Sequence, residues 1–146
     1  MGLLGKQFRL GLGPIVDRNG LDASVDHVRA SALHICGKVG NNLEAMARSG
    51  ADCLELDWQV DLRAARTRVG SKISLKGNLH TSKLAQSTGA EVYDDARHAI
   101  EAAKPGGAFI LSSGCALGRD TPPENIAAMA RAARDFGDDS GNKDLD

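Results

Sequence analysis

Aromatic side chains are scarce, at 3% of the 146 residues: one Trp, one Tyr and three Phe. A core must therefore be assembled from Ala, Leu, Ile and Val, in numbers rather than in bulk. Long apolar runs are missing too, and none approaches the roughly 20 residues that a membrane helix requires. The opening M-G-L-L-G-K has no hydrophobic region of signal-peptide length. Lys6 stands where a myristoylation motif wants Ser or Thr. Basic residues are not concentrated: 18 Lys and Arg are scattered among 19 Asp and Glu. That excludes the basic face by which a protein grips nucleic acid. Three cysteines are too few, and odd in number, for a disulfide scaffold. The expectation is a reducing, cytoplasmic setting, with the thiols free or on a metal.

What remains is a balanced chain, 42% apolar and 25% charged, with the composition of one soluble globular domain. Residues 1–30 form a poorly defined N-terminal segment, with turn signals at G-L-G-P and D-R-N-G and a short helix expected over 21–30. Residues 138–146 read as a polar tail. Between them a rhythm sets in. Apolar, strand-like runs occur at 32–36, 53–56, 73–75 and 108–111. Helical patterns fill the gaps at 42–49 and 61–69, the second capped by Asp61 and stopped at Gly70. Thr88-Gly-Ala-Glu91 reads as a capping box opening a helix with Val92, Ala96, Ala99, Ile100 and Ala103 on one face. Thr121-Pro-Pro-Glu124 reads as a second one, ahead of Ile126, Met129, Ala133 and Phe136.

Strand and helix alternating four times predicts an α/β fold with parallel strands. Right-handed crossovers would bring all four strand C-termini to one rim. Two architectures fit: an open doubly wound sheet, or a (β/α)8 barrel of the TIM type represented by about four β/α units. A full barrel takes about 250 residues. A lone half would expose two strand edges, so a fragment or an obligate dimer is expected.

Metal-capable side chains cluster at two of the predicted strand ends. His34 and Cys36 leave the first run, and Cys115 leaves the last. Imidazole nitrogen and thiolate sulfur are zinc donors, and three protein ligands with one open position is the catalytic pattern. The bland alternative is a core histidine among buried cysteines. Cys53 opens its strand and should sit at the opposite rim. Asp57, ending E-L-D-W, is a candidate acid/base, a ligand-orienting group or a turn cap. Gly77-Asn78 follows the third run, where Asn78 is a candidate substrate contact or plain turn chemistry. His80 is expected to face solvent from a loop. His27 and His98 fall on helical patterns and need no function. Arg119 and Asp120 precede a helix and are a candidate anion grip.

H-I-C-G, A-D-C-L-E-L-D-W-Q-V-D-L, V-G-S-K-I-S-L-K-G-N-L, and P-G-G-A-F-I-L-S-S-G-C with R-D-T-P-P-E-N-I occur in this order. Together these blocks, over about residues 32–137, resemble the C-terminal half of the uroporphyrinogen decarboxylase family. Decarboxylases proper usually lack cysteines at these places. His34, Cys36 and Cys115 resemble the zinc ligands of the cobamide-dependent (methylcobamide:thiol) methyltransferase branch. The resemblance implies a zinc-held thiol that accepts methyl from a methyl-corrinoid on a partner protein, with Asp57 and Asn78 at the substrate cavity. The first 30 residues do not match the family's amino-terminal half, so metal binding is expected of this chain rather than turnover by it alone. Two alternatives stand beside it: a uroporphyrinogen decarboxylase-type lyase, with Asp57 as the charge-stabilising carboxylate, and a non-catalytic half-barrel that dimerises through its open edges.

Overall fold

The computed structural model describes residues 30–137. The segments expected over 1–30 (save Ala30) and over 138–146, and with them His27, lie outside the described residues. Four parallel strands make one sheet in the order β1-β2-β3-β4: β1 Ala32–Ile35, β2 Cys53–Leu56, β3 Ser74–Leu79 and β4 Phe109–Ser113. Among the described residues five helices alternate with them: α1 Leu43–Ala47, α2 Leu62–Val69, α3 Thr81–Gln86, α4 Gly89–Ala103 and α5 Pro123–Phe136. A 3₁₀ turn, Val39–Asn42, leads into α1.

Register explains which face carries the core. Leu33, Leu54, Leu75 and Phe109 are partners across the sheet, and the three leucines are buried. They pack with Leu56 and Leu79 against Met46, Leu62, Ala65, Val92 and Ala96 from the helices. Each buried leucine contributes about 1.5–3 kcal/mol. One residue along, His34, Glu55, Lys76 and Ile110 form the next row and point to the other face. That face carries no helix among the described residues: Ile110 is 52% exposed, and the half-buried Glu55 and Lys76 pair at 3.1 Å. A doubly wound sheet would be covered on both sides. Helices on one face and a polar, inward face on the other match about half of a (β/α)8 barrel.

Alanine does the work that aromatic rings do elsewhere. Ala96, Ala99 and Ala103 of α4 and Ala128 and Ala132 of α5 are buried, so the backbones of these helices approach closely. The caps are partly those the sequence predicts. Asp61 Oδ1 accepts from Ala64 N at 2.9 Å, and α2 stops at Gly70 with φ +74°. The Thr88–Glu91 capping box forms in full. The second box does not form. α5 starts one residue later, with Pro122 as N-cap and Pro123 at the first helical position, so Thr121 falls outside the helix and its Oγ1 has no partner.

Two other expectations are corrected. β3 continues past Leu75 to Leu79, so Asn78 lies on the strand rather than after it. Gly77 permits a tight turn or a close backbone approach, and it serves the approach: a Cβ there would stand 2.7 Å from the Leu56 carbonyl oxygen. His80 is not a solvent-facing loop residue. It caps α3, a helix absent from the sequence reading, with Nδ1 accepting from Ser82 N, and its ring stacks on Trp58 at 3.8 Å.

Candidate metal centre

All four strand C-termini reach one rim, and three donor atoms meet above it. The nearest ligand atoms of His34, Cys36 and Cys115 all lie within 4.8 Å of one another. His34 Nε2 stands 3.1 Å from Cys36 Sγ, and Cys36 Sγ stands 4.0 Å from Cys115 Sγ. Donors arranged tetrahedrally at zinc bond lengths of about 2.1–2.3 Å stand roughly 3.6–3.8 Å apart. The set is therefore spaced for one small cation and has the mixed nitrogen and sulfur chemistry that zinc takes.

The second ring nitrogen of His34 supports that use. His34 Nδ1 is 3.1 Å from the Glu55 carbonyl oxygen, an acceptor only. The proton therefore sits on Nδ1, and Nε2 turns its lone pair toward the sulfurs. Without a metal, the neighbouring Cys115 thiol is the main influence pushing the Cys36 thiol above its ordinary range, with burial and the Asp57 charge adding to it. Cys53 opens β2 at the opposite rim, where burial pushes its thiol up. It takes no part in the cluster.

Asp57 and Asn78 lie directly beneath. Asp57 is 4% exposed, and both carboxylate oxygens accept from backbone: Oδ2 from Gly37 N at 2.9 Å, Oδ1 from Gln59 N at 3.0 Å. Burial pushes this carboxyl up, but the two amides outweigh it and hold it below the usual carboxylate range. Asn78 Nδ2 donates to the carbonyls of Asp57 at 3.0 Å and Val60 at 2.6 Å. Both side chains are thus engaged with the backbone of the rim loops. Arg119 and Asp120 sit exposed in the turn before α5, and His98 is exposed on α4.

Sequence reasoning missed the backbone partners of Asp57 and Asn78. It also missed Trp58, exposed at the rim beside the cluster. The E-L-D-W string held the only signal: an apolar ring placed just past a strand end, where water rather than core would meet it.

Comparison with known proteins bears on the family and the fold. A model of the family "Uroporphyrinogen decarboxylase (URO-D)" matches residues 16–136, beginning ahead of the 32–137 span on which the resemblance rested. Uroporphyrinogen decarboxylase of Erwinia tasmaniensis is 38% identical over 93 residues, 64% of this chain and 26% of that protein. The Salmonella paratyphi B enzyme is 37% identical over the same share. The chain thus aligns with about a quarter of the length of these curated relatives. Among solved structures, a methyltransferase from Methanosarcina mazei superimposes with a TM-score of 0.66 at 28% identity, over 73% of this chain and 31% of that one. Fold, order of blocks and the family match over most of its length lead to one conclusion: this chain belongs to the uroporphyrinogen decarboxylase family.

Proposed function

We propose that the chain is the metal-binding part of a zinc-dependent methyltransferase of this family, passing methyl from a methyl-corrinoid on a partner protein to a small thiol. The observation that carries the reading is the convergence of His34 Nε2, Cys36 Sγ and Cys115 Sγ within 4.8 Å. These three side chains would hold the ion and leave its fourth position open. Bound there, zinc would supply a Lewis acid that lowers the pKa of a thiol and keeps it as thiolate at neutral pH. A methyl-corrinoid on the partner would supply the methyl group as an electrophile, the thiolate would be its nucleophile, and the thiol's proton would leave to solvent. The chain's own part is to fix the donors. Glu55 O holds the His34 tautomer, and the Glu55–Lys76 pair keeps the inner face beneath the cluster polar. No described helix is long and apolar enough to cross a membrane, which suits an encounter with a cytoplasmic corrinoid protein.

The test is metal content of the purified protein, with His34→Ala and Cys115→Ser beside the parent. The expected result is about one zinc per chain in the parent and little in either variant. Unchanged zinc in both variants would remove the site.

A decarboxylase reading draws support from the names of the 37–38% identical relatives. It asks for a free carboxylate at the rim, whereas both oxygens of Asp57 are taken by amides. Decarboxylation of a tetrapyrrole by metal-stripped protein would favour it. Dimerisation through the strand edges draws on the apolar residues exposed there, Ile35 on β1 and Ile110 on β4. Sedimentation of the parent against Ile110→Lys would settle that point.

A further inference from the structure

The three donors come from β1 and β4, yet each is fixed through the strand that supplies none. His34 Nδ1 is held by the carbonyl of Glu55. Cys36 is followed by Gly37, whose amide donates to the Asp57 carboxylate at 2.9 Å. Cys115 is preceded by Gly114, which lies so close to the next turn that a Cβ would stand 2.4 Å from Trp58 N and 3.0 Å from Trp58 Cα. Gly114 N also donates to Leu79 O at 2.8 Å, locking that approach from the other side. Asn78 braces the same turn from β3, through the carbonyls of Asp57 and Val60.

We infer that residues 55–58, none of which is among the three clustered donors, are the template that sets the spacing of those donors. Asp57 and Gly114 are the positioning residues that transmit it to the two sulfurs. The inference deepens the zinc reading and rests on it for its functional meaning, but the template itself is a statement about where two thiols stand. The physical case is one of tolerance. A donor set must be held to about 0.5 Å to be preorganised, and loss of a group supporting a ligand typically weakens metal binding 10–100-fold. Asp57→Asn keeps shape and volume but offers one acceptor oxygen to two amides and no charge, so one N–H faces an NH₂ and the brace on the Gly37 loop, and on Cys36 with it, is weakened. Gly114→Ala cannot be seated without moving backbone away from backbone, so Cys115 is displaced. Gly40→Ala is the control: it lies in the same rim loop, and nothing stands within 4 Å of a Cβ there.

Two measurements keep the template and the metal site separable. The first is cobalt(II) titration of the parent, Asp57→Asn, Gly114→Ala and Gly40→Ala, read by the thiolate-to-cobalt charge-transfer band. The second uses metal-free protein and oxidised glutathione. The two thiols become a Cys36–Cys115 disulfide, and one glutathione disulfide becomes two thiols, so closure rate, divided by the rate of Cys36 alkylation to cancel changes in thiolate fraction, reports their separation with no metal present. The expected result is a 10–100-fold loss of cobalt affinity and at least fivefold slower closure in both positioning variants, with Gly40→Ala like the parent. If Gly114→Ala fails to fold by circular dichroism, Asp57→Asn decides. Closure within twofold of the parent in every folded positioning variant overturns the template. A parent that binds no cobalt, with closure still slowed in the variants, sinks the metal reading and leaves the template standing.

Discussion

Cys36 and Cys115 bring their sulfurs to 4.0 Å although they follow the first and last of four adjacent strands. Strands spaced about 4.8 Å apart would put β1 and β4 roughly 14 Å apart in a flat sheet. The ends of these strands meet because the sheet curls and both loops fold inward. The cluster is thus a product of barrel curvature, and a doubly wound arrangement of the same elements would leave it open.

The Cys36 thiol, held protonated, makes metal uptake a proton-releasing event. The neighbouring Cys115 thiol, with burial, keeps the Cys36 thiol above its ordinary range, so at neutral pH Cys36 must shed its proton as a metal binds. Zinc binding is expected to release a proton near pH 7, and apparent affinity to fall as pH drops. Calorimetry in buffers of different ionisation enthalpy measures this directly. An enthalpy independent of buffer would show that Cys36 is not a ligand.

Asp57 makes a different pH prediction. Its carboxyl is held below the usual carboxylate range in the folded state, the two amide bonds outweighing burial. It therefore stabilises the fold at pH values above its unfolded pKa of about 3.9, and that contribution fades as pH falls through the lower, folded value. The stability gap between the parent and Asp57→Asn, from urea unfolding, should be widest near neutrality and close below about pH 4. A gap that stays constant into acid would mean that the charge on Asp57 does not support the Gly37 loop.

Local signals in the chain were legible where one residue's chemistry decides one bond. Thr88 and Glu91 satisfy each other's amides as their spacing requires, and the Leu33, Leu54 and Leu75 runs became the buried face of β1, β2 and β3. Signals failed where a neighbour far along the chain decides. Gly77 left a tight turn and a close approach both open, because nothing nearby in the chain shows that the Leu56 carbonyl needs its missing Cβ. Asn125 drew no reading from the sequence, yet it is buried and donates to the carbonyls of Leu84 and Ser87 at the end of α3. The candidate metal ligands were legible as residue types at two strand ends, and their meeting followed as an expectation once a parallel sheet gave those ends one rim. The curvature that closes the distance was not legible, because it is set by the whole sheet.

The two threonine motifs give a paired test of that distinction. Thr88→Ala removes a formed capping box and should cost about 0.5–2 kcal/mol. Thr121→Ala removes a hydroxyl that makes no hydrogen bond and should change stability by less than about 0.5 kcal/mol, although both motifs read alike in sequence. Urea midpoints of the two variants measure the difference. Equal losses would mean that α5 is capped by Thr121 in solution.

Arg66 closes the opposite end of the sheet and should separate stability from site chemistry. It is 6% exposed, and its guanidinium donates to four carbonyls, those of Ala103, Gly70, Ile73 and Ala108, at 2.6–2.9 Å. Those carbonyls end α4, follow α2 and precede β3 and β4, so one side chain ties together the starts of two strands and the ends of two helices. Burial lowers its pKa, but a guanidinium stays charged at any working pH. Gly107 leaves the space: a Cβ there would stand 2.4 Å from one guanidinium nitrogen. Arg66→Met keeps the stem and removes every donor, and each buried acceptor left unpaired costs about 1–3 kcal/mol where water cannot replace the lost bond. A net loss of about 3 kcal/mol is expected, which at about 4–8 °C per kcal/mol lowers the midpoint by roughly 12 °C or more. Below that midpoint, zinc affinity should stay within threefold of the parent, because the cluster stands at the other rim and is fixed by residues 55–58. A variant that unfolds early and also loses zinc while still folded would mean that the two rims are mechanically coupled through the strands.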